Sequence, residues 1–283
     1  MSEAVTLEQL KDATSRSSFY AGMRILPKAE REAMFAIYGF CRLVDDIADG
    51  DQQWAGVDKA QRAKALDGWR RDIDALYAGD DPGKAAFLVE VVQRFGLERA
   101  DFQAIIDGMQ MDLDEDIRWP SFEMFDLYCD RVASAVGRLS VRVFGMEREP
   151  GLALAHHLGR ALQFTNVLRD IDEDAGIGRV YLPIEALQAA GIAPETPEKL
   201  LSHPQLGKAA LWLAAKAGGH FTEAHDILKA KPKGLLLAPR LMEASYFRIW
   251  RKMLHQGWAP PRKRISTNKP LLVLTAVKLW LLG

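Results

Sequence analysis

Two stretches of the chain concentrate carboxylates at helical spacing. In "FCRLVDDIADGD", residues 40–51, Asp45 and Asp49 stand four apart; in "LQFTNVLRDIDEDAGIGRVYLP", residues 162–183, Asp170 and Asp174 repeat the interval, with Asp172 and Glu173 beside them. One helical turn rises about 5.4 Å, so each pair projects from one face. Each also falls near the end of an apolar run, where the helix macrodipole disfavours negative charge and burial without a cation is costly. Something positive is wanted at both places. Magnesium is a hard cation that takes oxygen ligands, keeps several waters and bridges a few carboxylates to phosphate oxygens. A single D-x-x-x-D is most often a solvated helix face, but two of them on apolar helices, each with an arginine at hand (Arg42 and Arg169), point to one joint site. Arginine there either contacts phosphate bidentately or neutralises the acids.

Other chemistries fit poorly. The 283 residues carry a net charge of -1, which gives no global reason to expect nucleic-acid binding. No Glu-x-x-His motif of a di-metal bundle occurs, and His220 and His225 in "HFTEAH" are five apart, unlike a zinc-protease H-E-x-x-H. "GIGRVY" lacks the third glycine and the preceding strand of a dinucleotide fingerprint. Adjacent His156 and His157 are expected to be one surface and one packing residue. The third acidic run, "DGMQMDLDED" at 107–116, reads as a solvated helix end, with Asp112 the member best placed to face a cavity. Cys41 and Cys129 sit in apolar patterns without a Cys-x-x-Cys partner, which suits reduced core thiols in a cytoplasmic protein.

The elements that must hold these acids are helices. Hydrophobic residues make up 48% and charged residues 27% of the chain, the balance of a globular protein. Apolar positions recur at intervals of three and four nearly throughout, and no alternating strand-like set is found. The spacing predicts an all-α protein with helices over 28–49, 58–77, 84–95, 98–113, 121–145, 151–174, 206–230, 235–255 and 269–281. Breaks fall at Leu26-Pro27, "GDDPG", Trp119-Pro120, Glu149-Pro150, "GIGRVYLP" and Pro260-Pro261. None is a long linker, so residues 1–283 are expected to form one domain. The N-terminus is too polar for a secretory signal, and no uninterrupted apolar run reaches the roughly 18 residues of a membrane span.

"SSFYAGMRILPKAEREAMFAIYGFCRLVDDIAD" (17–49), "YCDRVASAVGRLSVRVFG" (128–145) and "LQFTNVLRDIDEDAGIGRVYLP" (162–183) resemble, in wording, order and spacing, the hallmark segments of the squalene/phytoene synthase family. The resemblance covers residues 12–269. It implies an all-α, single-domain isoprenoid-synthase bundle around a central apolar cavity that joins two prenyl diphosphates head to head. Carried onto this sequence, it makes Asp45, Asp49, Asp170 and Asp174 the positions that bind magnesium or manganese. Tyr38, Arg42, Gln163, Asn166 and Arg169 become pocket or diphosphate contacts, and Ser18, Phe19, Tyr128, Val132, Gly137 and Tyr246 match substrate-site positions, with Tyr128 counted among the catalytic ones. The stretch before Ser18 departs from the family form, so no role is carried onto Ser15, Arg16 or Ser17.

Within the family, "SSFY" and "RVASAVGRLSVRVFG" are closer to the bacterial branch that makes presqualene diphosphate for hopanoids than to phytoene synthases. The resemblance then implies farnesyl diphosphate as substrate, ionisation of one allylic diphosphate, attack by the double bond of the second chain, and proton loss to close a cyclopropane. Phe19, Tyr20, Tyr38, Phe164 and Tyr246 are candidate aromatic faces for the cation. Phytoene, dehydrosqualene and complete squalene synthesis stay open as alternatives on the same metal site. A head-to-tail prenyltransferase fits "DDIAD" but not "DIDED", and a non-catalytic helical binding protein leaves two matched acidic pairs unexplained. The enzyme is expected in the cytoplasm, handing product to squalene and hopanoid enzymes. Arg262, Lys263, Arg264 and Lys269 beside an apolar end segment, 270–283, could touch anionic lipid at the inner membrane face; a core-docked terminal helix with a phosphate-facing basic loop is the competing and favoured reading.

Overall fold

The three-and-four apolar periodicity is realised as helices. The structure, a computed structural model, describes residues 23–114, 117–266 and Thr275. Ser18, Phe19, Tyr20, Lys269 and, Thr275 apart, the segment 270–283 lie outside the described residues. Among the described residues the α-helices bounded in full are, in order, α1 (Lys28–Asp49), α2 (Lys59–Ala78), α3 (Val89–Phe95), α4 (Arg99–Asp114), α5 (Phe122–Cys129), α6 (Ala135–Val143), α7 (Arg148–Arg169), α8 (Ile171–Gly176), α9 (Ile184–Ala189), α10 (Pro197–Leu201), α11 (Leu206–Lys229) and α12 (Leu237–Gln256). The one extended pairing among the described residues is an isolated parallel bridge between Arg118 and Val180. The chain is all-α, as its spacing predicts.

Helix α1 shows how the acids are delivered. Ile37, Phe40, Val44 and Ile47 recur at intervals of three or four and are fully buried, so this helix runs through the interior. Phe40 packs edge-on against Trp69 of α2 and Phe102 of α4, with ring centroids 5.5 and 5.2 Å away. Gly50 ends the helix in the left-handed region at φ 73°, its N–H bonded to the Asp46 carbonyl. The positive group wanted at this C-terminus is present: Arg62 of α2 donates to the carbonyl of Ala48 at 2.8 Å.

Two expected helices are subdivided, the second of them within an acidic motif. The segment 121–145 is continuous but contains a π turn, Asp130–Ser134, between α5 and α6. Such turns insert one residue and re-aim the side chains that follow. The segment expected over 151–174 breaks at Asp170 (φ -102°, ψ 16°), which separates α7 from α8. Residues 84–95 begin as a 3₁₀ turn, Gly83–Leu88. The short helices α9 and α10 were not expected. The start of α10 was nevertheless legible in "TPEK", because Thr196 caps Lys199 N–H and Pro197 takes the first turn.

Helix α7 lies at the centre, packed against α6, α11 and α12. Its Gly159 allows the π turn to approach: a Cβ there would stand 2.8 Å from Ser134 Cα and 2.9 Å from Ser134 N. Gly159→Ala is therefore expected to destabilise by about 1–3 kcal/mol through forced backbone displacement. Gly219→Ala, on the exposed face of α11 with nothing within 4 Å of the new Cβ, should stabilise by about 0.5–1 kcal/mol. Chemical denaturation measures both, and equal effects would refute the packing argument.

Candidate active site

Three helix ends and one loop bring the carboxylates together. Asp45 and Asp49 come from the last turn of α1, Asp112 from the last turn of α4, and Asp174 from α8 beyond the break at Asp170. Arg179, on the loop after α8, ties the groups to one another: it donates to Asp49 at 2.8 Å and to the Asp112 carbonyl at 3.4 Å. The two acidic pairs, 121 or more residues apart in the chain, thus share a cluster with Asp112 between them.

Their electrostatics record a crowded, partly dry site. Burial, reinforced by the charge of Asp49, pushes Asp45 up to about 7. Burial and the neighbouring Asp170 push Asp174 up to about 7 as well. Burial raises Asp112 to about 6 although Arg179 and two tyrosine hydroxyls oppose it. Arg179 is raised despite its own desolvation by Tyr181, Asp112 and Asp49. Asp170 behaves differently. Burial alone would raise it, but Arg169 at 2.5 Å and Arg264 at 2.8 Å outweigh that and lower it. Asp45 keeps 34% of its side chain accessible, so the cluster is open to an arriving ion.

An apolar cavity of about 340 Å³ adjoins these acids. Met34, Tyr38, Cys41, Arg42 and Asp45 line it from α1, and Leu154, Ala155, Leu158, Leu162, Gln163 and Asn166 from α7. At about 1.5 Å per residue, positions 34 to 45 span about 16 Å, passing from oily to acidic along both helices. Tyr128, Val132 and Gly137 close one wall from α5, the π turn and α6. The Oδ1 of Asn166 is buried with no hydrogen-bond partner among the described residues, so it can accept from a ligand's donor.

Of the residues expected at the site, Tyr38, Arg42, Asp45, Tyr128, Val132, Gly137, Gln163 and Asn166 line the cavity, and Asp49, Asp170, Asp174 and Arg169 stand around the acidic cluster. Arg169 also interacts with Tyr246, which is buried off the cavity wall. Arg42 bonds Asp45 and Asp46, each at 2.6 Å, so in this state it neutralises acids. Phe164 is corrected: it is wholly buried against Phe125 and Phe122 and does not reach the cavity. The solvated reading of 107–116 fails at Asp112, which is 9% exposed and accepts hydrogen bonds from Tyr128 at 3.0 Å and Tyr181 at 2.7 Å. Cys41 packs against the core and also borders the cavity, its thiol pushed up to about 12 by burial and Asp45. Arg179 and Tyr181 went unnoticed because "GIGRVYLP" reads as a break; a charged residue before an aromatic, just after a carboxylate motif, was the available signal.

Arg262 and Arg264, two of the basic residues expected to face lipid or phosphate, bond to carboxylates. Arg262 forks onto Asp172 at 2.6–3.0 Å, and Arg264 reaches Asp170 and Glu173. The basic loop folds onto the second acidic motif. Among the described residues, no helix is long and apolar enough to cross a membrane.

The squalene/phytoene synthase sequence profile matches residues 13–270. The chain belongs to the squalene/phytoene synthase family. It is 58% identical over 266 residues to a presqualene diphosphate synthase of Zymomonas mobilis, covering 93% of this chain and 89% of that one. It is 51% identical over 253 residues to a presqualene diphosphate synthase of Rhodopseudomonas palustris, covering 89% of each. In fold it is similar to the crystal structure of squalene synthase HpnC from Alicyclobacillus acidocaldarius, with a TM-score of 0.76 at 24% identity over 90% of this chain and 95% of that one. A dehydrosqualene synthase structure gives a TM-score of 0.75 at 23% identity, covering 98% and 95%. The family fold is the helical bundle described above.

The raised carboxylates set a pH signature for the metal-free protein. A folded pKa near 7 against about 3.8 in the unfolded chain contributes stability that is complete below about pH 4 and lost as pH rises through 7. Asp45→Asn removes one such group. Its stability relative to the parent protein, measured in chelator by thermal or denaturant unfolding, should therefore rise between pH 5 and 8. A difference that stays flat or shrinks across that range would refute the assigned burial and repulsion.

Proposed function

We propose that the chain condenses two molecules of farnesyl diphosphate head to head into presqualene diphosphate, with release of one diphosphate and one proton. The observation that carries this reading is the continuity of a long apolar cavity with a carboxylate cluster built from three helices. The names of the similar Zymomonas and Rhodopseudomonas proteins support the product.

The donor set fits magnesium or manganese: hard carboxylate oxygens only, in excess over the cations that face them, with two members held near neutral pH by burial and by the charges of neighbouring carboxylates. Asp45, Asp49, Asp170 and Asp174 would hold such ions, with Asp112 between the pairs. Bound there, the ions supply charge neutralisation to a departing diphosphate. The chain's own residues do the rest. Arg42 and Arg169 turn from carboxylates to phosphate oxygens as the acids gain other partners. Gln163 and Asn166 orient the diphosphate end at the cavity mouth. The apolar wall excludes water, which would capture the allylic cation as an alcohol. Tyr38 offers an aromatic face to that cation, and the Tyr128 hydroxyl, which donates to buried Asp112, takes up the proton that leaves as the cyclopropane closes while its own proton passes to the Asp112 carboxylate.

The reading takes the 283 residues as one catalytic domain in the cytoplasm, passing its product to squalene and hopanoid enzymes. Contact with the inner membrane face would fall to Lys263, Lys269 and the 270–283 segment, because Arg262 and Arg264 are engaged with acids.

Incubation of the purified protein with farnesyl diphosphate and magnesium, with products read by mass spectrometry, should give mainly presqualene diphosphate, and NADPH should not divert it to squalene. Stopping there requires only a second barrier a few kcal/mol higher, since about 1.4 kcal/mol changes a rate tenfold. Squalene formed only with NADPH, dehydrosqualene formed without it, or faster conversion of geranylgeranyl diphosphate to phytoene would each overturn the product assignment. Asp45→Asn and Asp174→Asn should abolish turnover with the helical far-ultraviolet spectrum intact. Near-parental magnesium-dependent turnover in both would refute the metal site.

A further inference from the structure

Away from the carboxylate cluster, three histidines converge between α7 and α11. A ring nitrogen from each of His156, His157 and His220 lies within 4.8 Å of the others. Of the pair expected to be one surface and one packing residue, His156 is exposed and His157 half-buried, and both turn toward His220. None of the three borders the apolar cavity.

Nδ1 of His157 and Nδ1 of His220 face each other at 3.1 Å. Two nitrogens bound to one zinc-like ion at about 2.0–2.1 Å stand about 2.9–3.4 Å apart for angles between square and tetrahedral. The observed separation lies in that interval. His220 is oriented by an edge contact with Phe164, centroids 5.4 Å apart, so one ligand is set by the core. His156 is the movable member. Its Nδ1 now accepts from Arg160 Nη1 at 2.9 Å, but that nitrogen has only two hydrogens and also faces Asp130 at 3.1 Å and Ser134 at 3.0 Å. His156 can leave without stranding a guanidinium hydrogen. Arg160 is forked onto Asp126 as well, so its positive charge is opposed by Asp126 and Asp130 together. Glu223 adds negative charge near His157.

We propose that His156, His157 and His220 form a binding site for a borderline-soft divalent metal ion of the zinc class, distinct from the hard-ion cluster at the aspartates. Three imidazoles select zinc, cobalt, nickel or copper over magnesium. The exposed side at His156 leaves a further position to water. The bound ion joins α7 to α11 and so acts on stability, not on the chemistry in the cavity.

The test uses full-length protein without a histidine tag, stripped with chelator and dialysed against zinc chloride in excess magnesium. One zinc per chain should be retained, and cobalt substituted for it should show visible absorption from a nitrogen-bound ion. Zinc should raise the thermal midpoint by roughly 5 °C at a hundredfold excess over its dissociation constant. His157→Gln and His220→Gln should each weaken zinc binding at least tenfold and abolish the midpoint shift, with magnesium-dependent turnover unchanged. Asp45→Asn should retain the zinc. No stoichiometric zinc and no cobalt absorption in the parent protein would overturn the proposal, since that readout depends on no variant. So would zinc that survives both histidine substitutions or disappears with Asp45→Asn.

Discussion

Burial of like-charged carboxylates is the constraint around which this molecule is arranged. Asp45, Asp112 and Asp174 sit close enough, and dry enough, that all three are held well above the usual carboxylate range. Such a cluster persists only because the remaining structure overdetermines it. Arg179 bridges α1 and α4, Arg42 forks across Asp45 and Asp46, and Arg169 with Arg264 holds Asp170. The fully buried apolar faces of α1 and α7 supply the stability against which that repulsion is set.

The two irregularities of the bundle serve the same end. The break at Asp170 lets α8 turn away from α7, so Asp174 enters the field of Asp112 and Arg179 while Asp170 is held by arginines. The π turn at Asp130–Ser134 is seated on Gly159 and held by Arg160 and Arg138, both of which bind Asp130. That anchorage places Tyr128 before the turn and Val132 within it on the cavity wall. Arg160 links the turn to the histidine cluster on its far side. Polar groups buried in this part of the bundle are therefore concentrated at one joint between α7 and the α5–α6 segment.

Much of this was legible in the residues. The positions of α1, α2, α4, α11 and α12 follow from apolar spacing and from glycine and proline stops, to within a residue or two. Asp45, Asp49, Asp170 and Asp174 were identifiable because a four-residue interval is a local property of a helix. The resemblance to the family then supplied Tyr38, Arg42, Gln163 and Asn166, which the structure places beside the cavity. Less visible were residues whose importance depends on another segment. Phe164 has the type and position of a cavity aromatic, yet its face of α7 packs against Phe125. Asp112 lies in a run with the composition of a solvated helix end, and only the tyrosines from two distant segments show it to be buried.

By itself, the sequence determined the helical class, the family and the two carboxylate pairs, because periodicity, order and spacing are written within each segment. Tertiary structure decided which acids share one field. That depends on helix crossings and on contacts such as Arg179 with Asp49, 130 residues apart, for which no local pattern exists. It also decided that Arg262 and Arg264 meet carboxylates and that His156 and His157 meet His220, 63 residues beyond His157. In each case the partner is set by how helices pack, and side-chain chemistry acquires its meaning only from that partner.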